Sequence, residues 1–104
     1  MINKYILNIG LNDKDTKTQI IKTSKALETI KNTLFNNNIV GYTIYTGYGL
    51  YKHDSGEITK EKTIIIEMFY TDDNTINNII NDLKVKLNQE SITKQVVKMS
   101  ISFE

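Results

Sequence analysis

Residues Lys4 to Leu11 alternate, with Tyr5, Leu7, Ile9 and Leu11 on one side and Ile6, Asn8 and Gly10 on the other, which is the period of a strand. After Asn12 to Asp15 the period lengthens. Ile20, Leu27 and Leu34 recur with Ile30 and Phe35 beside them, one apolar stripe of a core-facing helix. Thr16 and Gln19 have capping-box spacing, which predicts the start of that helix, and the run Asn36-Asn37-Asn38 predicts a left-handed stop. Ile39 to Tyr51 is rich in β-branched and aromatic residues with Gly41, Gly47 and Gly49 interleaved, so it reads as a strand that becomes irregular near its end. A polar loop, Lys52 to Lys60, contains the turn signal Asp54-Ser55-Gly56. In Glu61 to Tyr70, Ile64, Ile65, Ile66, Met68 and Phe69 load both faces, which predicts a central strand covered on both sides. Asp72-Asp73-Asn74 supplies N-caps for a second stripe, Ile76, Ile79, Ile80, Leu83 and Leu87. Val97, Met99, Ile101 and Phe103 then alternate with polar residues as a half-buried strand.

The order β-α-β-β-α-β over residues 1–104 predicts one α+β domain of the ferredoxin-like type: a four-stranded antiparallel sheet with two helices on one face. In that topology the first and third strands are central. The face away from the helices then carries Ile64, Ile66, Met68 and Tyr70, or else Ile65 and Phe69, with Ile6 nearby. Taking the first set, Ile6, Ile64, Ile66, Met68 and Tyr70 are the expected interface of a homo-oligomer or of a complex with a partner.

Composition mostly removes candidates. Thirteen lysines and no arginine stand against 12 carboxylates, a net charge of +1, which argues against a protein that draws its affinity from nucleic-acid phosphates. Without Arg there is no bidentate fork for phosphate or guanine. Cys, Trp and Pro are absent and His occurs once, so disulfides, thiolate chemistry and a Cys- or His-based metal site are not expected, and no cofactor is implied. Ile (17), Lys (13), Asn (12) and Thr (12) make up half the chain and share A- and T-rich codons, which reads as the coding bias of a low-GC bacterium or its phage. The N-terminus lacks a secretory pattern and no stretch has the length of a membrane span, so a cytoplasmic protein with no membrane partner is expected.

The most unusual local sequence is Tyr42 to Lys52, with tyrosines at 42, 45, 48 and 51. Along a strand Tyr42 and Tyr48 share one face while Tyr45 and Tyr51 take the other. Tyr45, Gly47, Tyr48, Gly49, Tyr51 and Lys52 together read as a ligand ledge: rings to stack on a base, glycine amides to meet a phosphate, a cation for charge. The plainer reading is a bulged edge strand. His53, Asp54, Glu57 and Glu61 fall in or beside the polar loop; a lone His beside Asp there reads as solvated, and no catalytic residue is assigned. An RNA-recognition domain shares the element order but needs stacking aromatics where the third strand has Ile, and acylphosphatase-type chemistry needs an Arg.

Two resemblances follow from these residues. Gly47-Tyr48-Gly49 after a strand, then a polar excursion and a returning strand, resembles the nitrogen-regulatory PII signalling proteins, ferredoxin-like trimers that bind nucleotides between subunits. Gly41-x-Thr43-Ile44 leading to Gly49-x-Tyr51, then Glu61-x-Thr63-Ile64-Ile65, Asp72-Asp73, Gln89-Glu90-Ser91 and the ending Ile101-Ser102-Phe103 are similar to a family of small bacterial proteins of unknown function. The second likeness covers nearly the whole chain and implies the same element order. The leading expectation is a non-enzymatic homo-oligomer that binds a small anionic, nucleotide-like ligand. A phage or mobile-element protein that blocks a bacterial immune effector by binding a host protein comes second, and a small dimeric ferredoxin-like enzyme third.

Overall fold

The computed structural model describes residues 1–104. Strands β1 (Ile2–Gly10), β2 (Tyr42–Lys52), β3 (Ile58–Met68) and β4 (Thr93–Met99) alternate with helices α1 (Thr23–Asn36) and α2 (Asp73–Lys86) in the expected order. They form one antiparallel sheet in the order β2-β3-β1-β4, with both helices on one face. This is the ferredoxin-like fold. No helix is long and apolar enough to cross a membrane.

The core is the layer between sheet and helices. Tyr5, Leu7, Ile9 and Leu11 point into it from the N-terminal segment, Ala26, Ile30 and Leu34 from α1, and Ile76, Ile79 and Leu83 from α2. Each fully buried Leu or Ile contributes roughly 1.5–3 kcal/mol of transfer free energy before entropy is subtracted. Helix α2 starts as its sequence predicts, the Asp72 carboxylate accepting the Thr75 N–H at 2.8 Å. That bond holds the Asp72 carboxyl below its ordinary pKa.

Three expectations are corrected. Helix α1 begins at Thr23, not at Thr16, and Ile20 and Phe35 are exposed. Thr16 belongs instead to a turn in which the Asp13 carboxylate accepts the N–H groups of Asp15 and Thr16, and Asn12 pairs with Gln19. Strand β2 shows no irregularity, because its ladder with β3 runs unbroken from Tyr42 to Lys52. Strand β4 lies earlier than its pattern suggests, leaving Ile101 and Phe103 beyond its end.

The fourth correction concerns the expected interface. Leu7 pairs with Ile66, Ile9 with Ile64 and Tyr5 with Met68, and directly opposed residues share a face. Ile64, Ile66 and Met68 therefore turn toward the helices, where they are fully buried, and are not available to a partner. Tyr70 lies past the end of β3 at φ 55°, exposed. Of the expected set, only Ile6 is on the open face, with Ile65 and Glu67 beside it. The face is tied together there by Glu67, which takes Lys4 Nζ at 2.6 Å on one oxygen and the Tyr45 hydroxyl at 2.8 Å on the other.

Candidate functional site

The glycines and tyrosines of β2 divide between the two faces of the sheet. Register with β3 sets Tyr45 opposite Ile65, Gly47 opposite Thr63, Gly49 opposite Glu61 and Tyr51 opposite Thr59, all on the open face. Tyr48 and Lys52 point the other way, Tyr48 standing over Lys62 at 5.7 Å. The six residues expected to form one ligand ledge thus do not share a surface. Tyr45 is engaged by Glu67, and of the six only Tyr51 lines the groove described next.

That groove, of about 760 Å3, opens at the hairpin end of the open face. Its floor is Asn8, Gly10, Glu61 and Thr63; Tyr51 and His53 make one wall, and the turn after Asn12 with Gln89, Glu90 and Ser91 makes the other. The rings of Tyr51 and His53 meet at 4.8 Å between centroids, tilted by 57°, and His53 Nε2 shares a hydrogen bond of 2.6 Å with Thr59 Oγ1.

Glu61 stands on the floor of the groove. Its carboxylate lies over Gly10, where a Cβ would collide with both carboxylate oxygens and Cδ. One oxygen accepts the Asn12 N–H at 2.8 Å. The Asn12 carbonyl in turn accepts from buried Gln89 at 2.8 Å, so the floor and the far wall are one hydrogen-bonded unit. The wall is fastened further by Asn88, whose amide donates to Asp13 and Asp15 and draws the Asp13 carboxyl below its ordinary pKa. No lysine stands within ion-pair distance of Glu61. The result is a fixed anion in a polar groove that also holds Asp13, Glu57 and Glu90 against Lys14, Lys17 and Lys60.

Two segments singled out for their family likeness, Glu61-x-Thr63 and Gln89-Glu90-Ser91, meet in this groove, together with Tyr51. A profile of the family described as protein of unknown function DUF3574 matches residues 4–103. The chain belongs to that family. Among curated proteins none matches the DUF3574 chain. Among solved structures it is similar to a phage SAM lyase in complex with S-methyl-5'-thioadenosine, at 18% identity and TM-score 0.68, covering 93% of this chain and 81% of that one. The apo state of a phage SAM lyase matches at 17% identity and TM-score 0.61, covering 91% and 78%. A B. subtilis GlnK–ATP complex, a PII protein, matches at 13% identity and TM-score 0.57, covering 92% and 84%. These likenesses establish the fold. The lyase structures also correct the expectation of a non-enzymatic protein, because an enzyme is built on this architecture at nearly this length.

The groove residues that lie outside the site expected from the sequence include Asn8, Gly10, Glu61 and Gln89. A signal for Gly10 was present: a glycine inside a strand marks a close approach of another group. Its partner, Glu61, is far along the chain, so only the β1–β3 register shows what approaches.

Proposed function

We propose that the chain is a small enzyme acting on a nucleoside-bearing sulfonium of the S-adenosylmethionine class in the groove around Glu61, releasing a neutral thioether nucleoside. The observation that carries this reading is Glu61 itself, a carboxylate that lies over Gly10, accepts the Asn12 N–H and has no cation paired to it. A unit charge 4 Å from a carboxylate near a protein surface attracts it by about 4 kcal/mol before desolvation. Such a site suits a cation and disfavours the anionic ligand expected from the glycines. The two neighbours' named ligands, S-methyl-5'-thioadenosine and ATP, share an adenosine, and of ATP and the SAM that the lyase is named for, only SAM is a cation at its reacting centre.

In the proposed step the bond between sulfur and the aminoalkyl arm breaks and its electron pair passes to sulfur. The arm completes its valence by closing on its own carboxylate, which supplies the electron pair, or by losing a proton to water. Attraction to the intact sulfonium does not by itself speed this step. The groove's contribution is to hold the arm in one conformation beside sulfur, with Tyr51 and His53 as one wall, and to release the product once its charge is gone. We propose also that the protein works as a homo-oligomer, with a second copy packed on the exposed side of the β2–β3 hairpin.

Incubation of the purified protein with S-adenosylmethionine, followed by mass spectrometry, is expected to show S-methyl-5'-thioadenosine. Glu61→Gln, folded by circular dichroism, is expected to raise KM for S-adenosylmethionine by roughly 100-fold, the screened share of the attraction above, without a matching fall in kcat. Absence of any thioether nucleoside at stoichiometric protein, together with no saturable binding of the nucleoside, would overturn the proposal.

A further inference from the structure

Gly10 ends β1 on the open face as the ladder partner of Thr63. Its backbone does not call for glycine, because Gly56 is the one glycine of the chain at positive φ. What calls for glycine is a neighbour. Glu61 precedes Thr63 by two residues on the same face of β3, so it is the diagonal neighbour of Gly10, at a separation that a long side chain laid along the sheet can cross. The three atoms nearest to a Cβ built at position 10 are all from the Glu61 carboxyl, which occupies the space a side chain there would take. On β2 the residue opposite Glu61 is also a glycine, Gly49, so the direct cross-strand position offers no side chain to brace it. The carboxylate is placed by the bare Cα of Gly10 and by the Asn12 N–H, which Oε2 accepts at 2.8 Å. Oε1 accepts no hydrogen bond from the protein, yet Asn8 Oδ1 is the one buried side-chain polar atom without a partner, so Oε1 of half-buried Glu61 keeps access to the groove. One oxygen is fixed and the other is presented.

We infer that Gly10 is the positioning residue for Glu61 and thereby sets the preference of the groove for a cation. The inference rests on the reading of the groove as an adenosyl-sulfonium site. With hydrogen at position 10 the carboxylate lies down on the strand; with a methyl group it must leave. The atoms that collide are the far end of a flexible side chain, so the carboxylate swings away by rotation about its own bonds while the backbone stays. Its charge is kept and its place is lost. Coulombic attraction falls inversely with distance, so doubling the separation from a bound cation halves it, and a contribution of roughly 100-fold to KM shrinks to about tenfold. Because the backbone at position 10 accepts an L residue and alanine restricts the unfolded chain, Gly10→Ala is expected to be at least as stable as the wild type.

Gly10→Ala, Glu61→Gln and the double variant are compared with the wild type by amide hydrogen exchange and by kinetics. Exchange reads the placement of the carboxylate without a ligand. In Gly10→Ala the Asn12 N–H is expected to exchange faster by about tenfold or more, while the Leu11 N–H, bonded to the Lys62 carbonyl at 3.0 Å, keeps its rate. KM for S-adenosylmethionine is expected to rise about tenfold without a matching fall in kcat, and the Kd of uncharged S-methyl-5'-thioadenosine to stay the same. In the Glu61→Gln background Gly10→Ala is expected to add nothing to KM, because no charge is left to displace. Glu61→Asp provides a second route should alanine disturb folding: it keeps the charge on a shorter arm and is expected to give the same two shifts. Unchanged Asn12 exchange in Gly10→Ala would show that the carboxylate is placed by something else and would overturn the inference. So would equal weakening of the uncharged nucleoside, or a KM rise that persists beside Glu61→Gln, since the methyl group would then act as an obstruction. In each of these cases turnover of S-adenosylmethionine by the wild type leaves the groove reading in place. If the wild type neither turns it over nor binds the nucleoside, the groove reading fails and the role of Gly10 in ligand preference falls with it.

Discussion

Glu67 gives one carboxylate oxygen to Lys4 and the other to Tyr45, so a single side chain ties β3 to both its neighbours across the open face. Lys4, then Tyr45, hold the Glu67 carboxyl below its ordinary 4.5, and the same bond raises the Tyr45 hydroxyl above 10.0. The depressed carboxyl contributes stability that is present above pH 4.5 and lost as pH falls through the lower folded value. The raised phenol has the opposite sense, contributing below pH 10.0 and losing that contribution as pH rises through the higher folded value. Glu67→Gln is therefore expected to flatten both limbs of a stability–pH profile and to cost on the order of 1 kcal/mol near neutrality, measured by urea unfolding. An unchanged acid limb would show that the triad is not held in solution. At this scale the sequence was least legible. That Tyr45 and Tyr51 share a face follows from strand period alone, but which carboxylate meets which tyrosine, and that Glu61 lies over Gly10, follow only from pairing between distant segments.

Helix α2 carries its own start signal in Asp72, an acidic first turn at Asp73 and lysines in its last turn, whereas α1 has neither a side-chain cap nor an acidic residue in its first turn. This explains why one boundary was legible and the other was not. The stripe of α1 runs backward into Ile20, and Thr16 with Gln19 imitates a capping box, but those residues are committed to the turn held by Asp13. The α1 cap position is Lys22, at φ −59° and ψ 143°, an extended backbone in which a side-chain acceptor can reach the first free N–H groups. Lys22→Asp is expected to stabilise the protein by about 1 kcal/mol, a rise in melting temperature of about 4–8 °C by calorimetry, with the groove unaffected. A loss of stability would mean that Lys22 makes a favourable interaction that the cap cannot replace. The face of β3 was ambiguous for a related reason: apolar residues on both sides satisfy either orientation, and the strictly alternating β1 decides between them by setting Leu7 against Ile66.

The shape of the whole molecule gives the strongest support to assembly. Its radius of gyration is 14.5 Å and its longest dimension 45 Å, against about 13 Å for the radius of a compact chain of this length. Much of the excess is the β2–β3 hairpin, whose pairs from Tyr48–Lys62 to Lys52–Ile58 continue roughly 15 Å past the end of β1. On the side away from the groove it exposes Tyr48 (84%) and Leu50 (61%). A two-stranded ribbon is marginal alone in water, and two large, mostly apolar side chains stand exposed on it within one chain. A second copy laid along that side buries them and leaves the groove open on the other. Light scattering on the purified protein is expected to give a multiple of the 12.0 kDa chain mass. Leu50→Lys is expected to return the mass to that of one chain, because a lysine in a buried contact is costly unless it is paired. A strict monomer at millimolar concentration would remove the assembly while leaving the groove and its chemistry to stand on Glu61.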